Sequence, residues 1–342
     1  MTHDYRDAQG NIHVTPEQAV AYYENVKKTK KKAKSIALNA ILVLLALVIV
    51  VTGVYTAITF ADIQKSKKEA LALAELTTFD VNDGAFNKNY DGVVFPAGIL
   101  EEYKAAYAAN DHLVGWIKVP ETIIDFPVVQ CENNSAYLQY DFYRNYNERG
   151  SIYLDCRNDI AGDDTSFIIY GHNFYDGTMF SPLENYEQLD FYKKAPVIEF
   201  NTILNKQKWK IFSVFITTAT ESEDNGYLFN YIYPYLKGEN YKAFLSELQK
   251  RSLINTTVDV NSGDKLLILS TCTKMLDISS SRRADGRCVI VARAVRDGES
   301  EKVDVASATA NSNAKFPQIW YTKNKLENPF ANDDRWEPIA TR

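Results

Sequence analysis

A thiol and a guanidinium stand at the facing ends of two apolar runs. Cys272 closes Lys265-Leu266-Leu267-Ile268-Leu269-Ser270-Thr271-Cys272, and Cys288-Val289-Ile290-Val291-Ala292-Arg293 begins directly after Gly286-Arg287. Short runs rich in Leu, Ile and Val predict two neighbouring strands. A cysteine that only fills a core would sit inside such a run, whereas Cys272 lies at its polar end, among Ser270, Thr271 and Thr273. There a thiolate could attack a carbonyl carbon, with an inert structural thiol as the alternative.

A nucleophilic thiol generally works with an imidazole, and the chain has 4 histidines: His3, His13, His112 and His172. His172 follows Ser166-Phe167-Ile168-Ile169-Tyr170-Gly171, another apolar run stopped by a glycine, so it repeats the setting of Cys272. His112 lies in Asn110-Asp111-His112-Leu113-Val114-Gly115-Trp116, at a helix-to-strand junction where a capping or solvated histidine is the ordinary outcome. His172 is therefore favoured as the partner. His3 and His13 fall on the far side of a membrane segment. No charged residue occurs from Ser35 to Ala61, and Ile36 to Phe60 would make roughly 37 Å of helix at ~1.5 Å per residue, enough to span a bilayer. A dense lysine run, Lys27 to Lys34, precedes it, so the positive-inside rule leaves the tail in the cytoplasm and everything after Asp62 outside. A cleaved signal peptide is the rival reading, but its apolar core would be only ~7 to 15 residues long.

With Cys272, His172 and Arg287 at three strand ends, the chain resembles the sortases, class B. The resemblance rests on Leu269-Ser270-Thr271-Cys272, on Tyr170-Gly171-His172, and on Gly286-Arg287 leading into the last strand. It extends to Val114-Gly115-Trp116-Ile117-Lys118-Val119-Pro120, Ile124-Asp125-Phe126-Pro127-Val128-Val129-Gln130 and Gly150-Ser151-Ile152-Tyr153-Leu154-Asp155, in the family's order. Ile268 departs from the Thr usual in the motif, and the stretch from Thr273 to Gly286 looks long, offering Arg282 and Arg283 as rivals to Arg287.

The resemblance implies a membrane-anchored cysteine transpeptidase of a Gram-positive cell surface. Cys272 would attack a backbone carbonyl in a C-terminal sorting signal to give a thioacyl enzyme, which an amine of a peptidoglycan precursor or of a pilin subunit resolves. His172 would protonate the leaving amine and deprotonate the incoming one, and Arg287 would stabilise the oxyanion or hold the substrate carbonyl. Ser270 and Thr271 would add hydroxyl contacts to the substrate backbone, and no cofactor or metal is expected. Two other classes remain open on sequence: a cysteine endopeptidase with water as acceptor, and a non-catalytic surface-anchoring module.

Composition agrees with an exported domain. The tail to Lys34 carries a surplus of three positive charges, so the remainder holds the deficit of nine that yields the overall −6. An acidic exported part argues against a nucleic-acid partner. The 4 cysteines are too few for a disulfide scaffold and lack metal-ligand spacing. Cys131, Cys156 and Cys288 read as small core residues, and a bridge between Cys131 and Cys156 is left open.

The elements that must position these groups follow from periodicity. Strands are expected near 113 to 119, 123 to 130, 151 to 155, 166 to 171, 196 to 201, 207 to 218, 265 to 271 and 288 to 296, with helices at Gly98 to Asn110 and near 240 to 251. The fold class is mainly β: an eight-stranded closed barrel, sortase-type as the resemblance implies, with N-terminal helices and a crossover helix, preceded by one transmembrane helix. The expected organisation is a cytoplasmic tail at 1–34, a transmembrane signal anchor at 35–61, an extracellular stalk and linker at 62–96, a catalytic domain at 97–297 and a partly disordered C-terminal extension at 298–342. The tyrosine-dense stretch Tyr227 to Tyr241 reads as a crossover packed on the barrel or as an aromatic wall of a substrate groove.

Overall fold

A computed structural model describes residues 15–75, 90 and 92–339. The far N-terminal residues, including His3 and His13, and most of the linker lie outside the described residues. The chain divides into two compact units, Met1–Ser66 and Lys67–Arg342. Helix α1 (Pro16–Glu75), most of which falls in the first, carries the uncharged stretch, and its apolar side chains from Ile36 to Phe60 are exposed. It is long and apolar enough to cross a membrane and fits a single-pass anchor.

The second unit is built on a closed barrel. Its strands are β1 (Leu113–Lys118), β2 (Asp125–Val129), β3 (Ile152–Leu154), β4 (Ser166–Tyr170), β5 (Val197–Thr202), β6 (Lys208–Thr218), β8 (Leu266–Thr273) and β9 (Gly286–Ala294), while the two-residue β7 (Ile254–Asn255) stands outside it. Around the barrel they run β1-β2-β3-β4-β8-β9-β6-β5, with β5 pairing back to β1. Short helices lead into two of them, α2 (Lys104–Ala109) before β1 and α3 (Leu189–Lys194) before β5. All eight expected strands are present, with ends displaced by up to two residues. The largest gain is at β8 and β9, which extend to Thr273 and start at Gly286, so Cys272 and Arg287 lie within paired strands rather than just beyond them. Thr and Cys tolerate the extended backbone, and the ladder continues for as long as both strands supply partners.

Period-two alternation decides what faces where. Ile117, Val128, Ile152, Ile169, Trp209, Leu267, Leu269 and Ile290 fill the main core together with Cys288. Their strand neighbours Ile168, Phe215, Leu266, Ile268, Val289 and Val291 point to the other face, where helix α4 (Gly238–Arg251) covers them with Phe244 and Leu248. Ile268, the departure from the family motif, is thus a buried contact under this helix. A register shift between Ile211 and Ser213 in β6 puts Phe212 and Phe215 on the outer cluster and Ile211 and Val214 on the inner one. Tyr227, Phe229 and Tyr231 are buried in the outer cluster, so this part of the tyrosine-dense stretch is packing.

Two elements differ from the periodicity. The helix expected at Gly98 to Asn110 starts as a 3-10 turn, Glu101–Tyr103, and continues as the short α2. The C-terminal extension, expected to be partly disordered, has a defined course: β10 (Thr309–Ala310) pairs with β7, and α5 (Gln318–Asn324) follows. Its polar composition is used in contacts, with Glu299 bonded to Lys210 and Arg293 and with Ala308 and Ala314 buried.

Candidate active site

Three adjacent strands carry the three candidate groups in one row. β4 and β8 are parallel, with Tyr170 paired to Ser270. Continuing that register by two residues brings His172 level with Cys272, and two bonds hold the continuation. Thr271 Oγ1 donates to the Gly171 carbonyl at 2.8 Å, and Asn173 Nδ2 donates to the Cys272 carbonyl at 2.7 Å. β8 and β9 are antiparallel, and Cys272 is the direct partner of Arg287. The order across the barrel rim is therefore His172, Cys272, Arg287.

Cys272 is the one exposed residue in a strand otherwise buried from end to end. With Asn173, Asp277, Arg283, Asp285 and Arg287 it lines a cleft of about 160 Å³. Cys288, one residue from Arg287, is the opposite case: it is fully buried, and burial pushes its thiol pKa well up. One of these two thiols can meet a substrate, and the other is core.

His172 is held from several sides. Its Nε2 lies 2.9 Å from the carbonyl of Leu138, which ends the 3-10 turn Ala136–Leu138. A carbonyl only accepts, so Nε2 donates, and in the neutral ring the lone pair lies on Nδ1. The ring packs on Phe174 at 5.4 Å, and the Arg149 guanidinium lies 5.0 Å from the Phe174 ring in turn. Phe180 N donates to the His172 carbonyl at 2.9 Å. Gly171 is required just before it, because a Cβ there would come within 2.5 Å of Ile152 Cδ1 and 2.6 Å of Phe180 Cγ. The adjoining Tyr170 hydroxyl donates to the buried Asp155 carboxylate at 2.8 Å, which also accepts from Arg157 and Asn134. This network pins β4 to the segment that supplies the Leu138 carbonyl.

Arg287 is half-buried. Its guanidinium bonds to the Asp285 carboxylate at 2.5 Å and to the Asp285 and Gly286 carbonyls at 3.2 and 3.0 Å. Burial works against the charge, but the facing Cys272 and the Asp285 carboxylate outweigh it and raise the pKa above the ordinary arginine value. Of the rivals, Arg282 is exposed in a turn with Ser279, and Arg283 reaches the cleft from an exposed position.

His112 belongs elsewhere. Its Nδ1 lies 2.9 Å from the Tyr137 hydroxyl, burial and the Arg144 charge lower its pKa, and it lines a separate cavity of about 580 Å³ with Cys131 and Cys156. All 4 cysteines are free thiols, so Cys131 and Cys156 are not bridged.

Ser270 and Thr271, expected to offer hydroxyls to a substrate, are buried and already engaged. Ser270 Oγ lies 2.8 Å from the Tyr231 hydroxyl, and Thr271 is bonded to Gly171 as described. Alternation turns Thr271 to the opposite side of the sheet from Cys272, and Ser270, on the same side, is covered by Tyr231. Both hydroxyls therefore tie β8 to its neighbours, the crossover and β4. Sequence reasoning missed Asn173 and the Leu138 carbonyl. Asn173 directly follows His172, a position that could have drawn attention to it; a backbone carbonyl has no sequence signal.

Glu187 sits behind the cleft, with Oε1 3.4 Å from Thr273 Oγ1. Burial, with the Glu184 charge, raises its pKa from 4.5 to about 7. The folded chain therefore holds this proton where the unfolded chain has lost it. Stability from this group is complete below about pH 4.5 and falls as pH rises to about 7, by on the order of 2 kcal/mol after allowance for partial exposure. Glu187→Gln should remove that slope. Urea midpoints of both proteins at about pH 5 and about pH 8 check it, and a wild type and variant that lose stability equally would refute it.

A closed barrel that presents an exposed thiol beside a histidine-bearing and an arginine-bearing strand end is the scaffold of a thiol acyl-transfer enzyme. A family profile described as Sortase domain matches residues 117–295. Sortase B of Staphylococcus aureus is 33% identical over 199 residues, covering 58% of this chain and 76% of that protein. The solved Staphylococcus aureus sortase B–substrate complex superposes with a TM-score of 0.51 at 32% identity, covering 58% of this chain and 87% of its own. A crystal structure of sortase B complexed with triglycine gives 0.50 at 33% identity, covering 57% of this chain and 86% of its own. The chain belongs to the sortase family, class B. It is a cysteine transpeptidase.

Proposed function

We propose that Cys272, His172 and Arg287 carry the transpeptidation. The observation that supports this most is the row itself: the exposed thiol lies on the strand between the other two, paired with Arg287 and level with His172. The Cys272 sulfur attacks the scissile carbonyl carbon of a sorting signal, and the C–N bond breaks as the leaving amine takes a proton from His172. The thioester is resolved by an incoming amine, which gives its proton to the imidazole as the new C–N bond forms and the thiolate leaves. Because Nε2 is engaged with Leu138, Nδ1 is the atom that cycles the proton. Arg287 supplies fixed N–H donors to the developing oxyanion, its charge balanced at rest by Asp285.

The donor substrate we infer is a surface protein with a C-terminal sorting signal, and the acceptor is an amine of a peptidoglycan precursor or a pilin subunit. The relatives solved with a substrate and with triglycine support a peptide donor and a small amine acceptor. In this reading α1 is the anchor, the N-terminus is cytoplasmic and the catalytic unit lies outside the cell, an orientation supported by the lysine run 27–34. Tethering confines enzyme, membrane-held donor and lipid-linked acceptor to one plane, raising their effective concentration. The test is product analysis with a panel of sorting-motif peptides, with and without an added amine. Amide product only with amine supports transfer; free acid at the same rate in both arms sinks it in favour of an endopeptidase.

Among the arginines, Arg287→Ala should lower turnover by roughly 100-fold or more, on the order of 3 kcal/mol of transition-state stabilisation. Arg287→Lys should recover only part, since it keeps the charge and loses the planar fork. Arg282→Ala and Arg283→Ala should mainly change KM, if anything. Steady-state kinetics of the four variants decides it: near-normal Arg287→Ala beside a crippled Arg283→Ala would reassign the oxyanion donor.

A further inference from the structure

The C-terminal extension lies beyond the sortase match, which ends at 295, yet it reaches both ends of the loop that joins Cys272 to Arg287. Lys323, near the end of α5, donates from Nζ to the Met275 carbonyl at 2.6 Å, three residues after Cys272. At its start, Gln318 N donates to the Asp224 carboxylate at 2.7 Å. Asp224 ends the 3-10 turn Glu221–Asp224, and its neighbour Glu223 accepts from Asp285 N at 3.2 Å. Asp285 in turn holds the Arg287 guanidinium, and its carbonyl accepts from Ala219 N at 2.9 Å.

Packing fills the space between these two grips. Phe316 stacks on Trp320 at 4.0 Å, and both rest against the main core together with Met275 and Ala284 of the same loop. Further along, Trp336 stacks on Phe244 at 5.5 Å, and its carbonyl accepts from the Tyr227 hydroxyl at 2.9 Å. The extension is therefore anchored on the outer cluster as well as on the loop.

We propose that residues 316–336 are a positioning brace for the active site: α5 grips the β8–β9 loop at Met275 directly and at Asp285 through the 221–224 turn, and so sets Arg287 against Cys272. The inference rests on the reading that Cys272 and Arg287 act together. The loop is long and rich in Ser and Arg and would otherwise sample many conformations, which a preorganised oxyanion donor cannot tolerate. Lys323 and Trp320 touch no reacting atom; they act through the loop.

The test uses the full chain with Trp320→Ala, Lys323→Met and Lys323→Arg, and reads three quantities. Amide exchange of residues 274–285 should rise about tenfold in the first two variants, while the barrel strands keep wild-type protection. Turnover should fall about tenfold or more, whereas alkylation of Cys272 by iodoacetamide keeps its rate because the thiol is held by β8 itself. Lys323→Arg, which retains a donor, should restore loop protection and most turnover. Unchanged exchange in the loop, equal loss of protection throughout the barrel, or loosened loop with wild-type turnover would each overturn the brace. A wild type that forms no thioacyl adduct on Cys272 signals failure of the site assignment instead, and the exchange data then still decide whether α5 holds the loop.

Discussion

Cys272→Ala should abolish both cleavage and transfer while the barrel keeps its stability. On the proposed assignment the thiolate bonds to the acyl group, and no neighbouring side chain would take its place: Asn173 has no nucleophile, and the Thr271 and Thr273 side chains are buried. Loss of a covalent nucleophile costs on the order of 10⁴-fold or more in turnover, leaving only what binding and oxyanion donors provide. The fold should be indifferent, because the side chain is exposed at the rim and truncation opens no cavity; the change in stability should stay within about 0.5 kcal/mol. Cys288→Ala is the internal contrast. That residue is buried among the main-core side chains, so its truncation should destabilise the barrel by about 1 kcal/mol while the folded fraction keeps its activity. Urea denaturation and turnover of the two variants, measured side by side, separate the thiol that reacts from the thiol that packs. Retained transfer by Cys272→Ala would end the assignment.

His172→Ala should lower turnover by about 10³-fold or more, because both the departure of one amine and the entry of the next need a proton carrier at the thioacyl carbon. His112→Ala should cost little activity. The His112 ring is bonded to Tyr137 in a separate cavity, whereas His172 is level with Cys272 and fixed by Leu138, Phe174 and Phe180. A larger loss at His112 than at His172 would reassign the partner.

How far these residues could be read from the sequence depended on what kind of group each uses. The apolar runs before Cys272 and His172 marked β8 and β4, and the run after Arg287 marked β9, since a strand buried on both faces is written in side chains. Burial of both faces also blurred their ends: β8 runs on through Ser270 to Thr273 because ladder pairing, not hydrophobicity, sustains it there. The two-residue strands β7 and β10 had too little length for any period to show. The Leu138 carbonyl that orients His172 is backbone, common to every residue, and only the fold selects it. Ser270 and Thr271 misled because a hydroxyl beside a nucleophile suggests substrate, while the partners Tyr231 and Gly171 take both hydroxyls into the structure. In the extension, the small and charged residues of Glu299 to Lys315 suggested disorder, but Glu299 bonds to Lys210, a partner far away in sequence that composition does not name, and Ala308 and Ala314 are buried; the aromatic Trp320 and Trp336 that follow dock on the two core clusters.

The central claim is that Cys272 becomes acylated and that an amine resolves the product. Intact and peptide-level mass spectrometry of the full chain, quenched in acid after mixing with a sorting-motif peptide and no amine, tests it most directly. The account predicts an added mass equal to the acyl fragment, located on Cys272, absent from Cys131, Cys156 and Cys288, and discharged into an amide when a glycine peptide is added. A reactive substrate that is cleaved with no adduct on Cys272, or with the adduct on another cysteine, would contradict it.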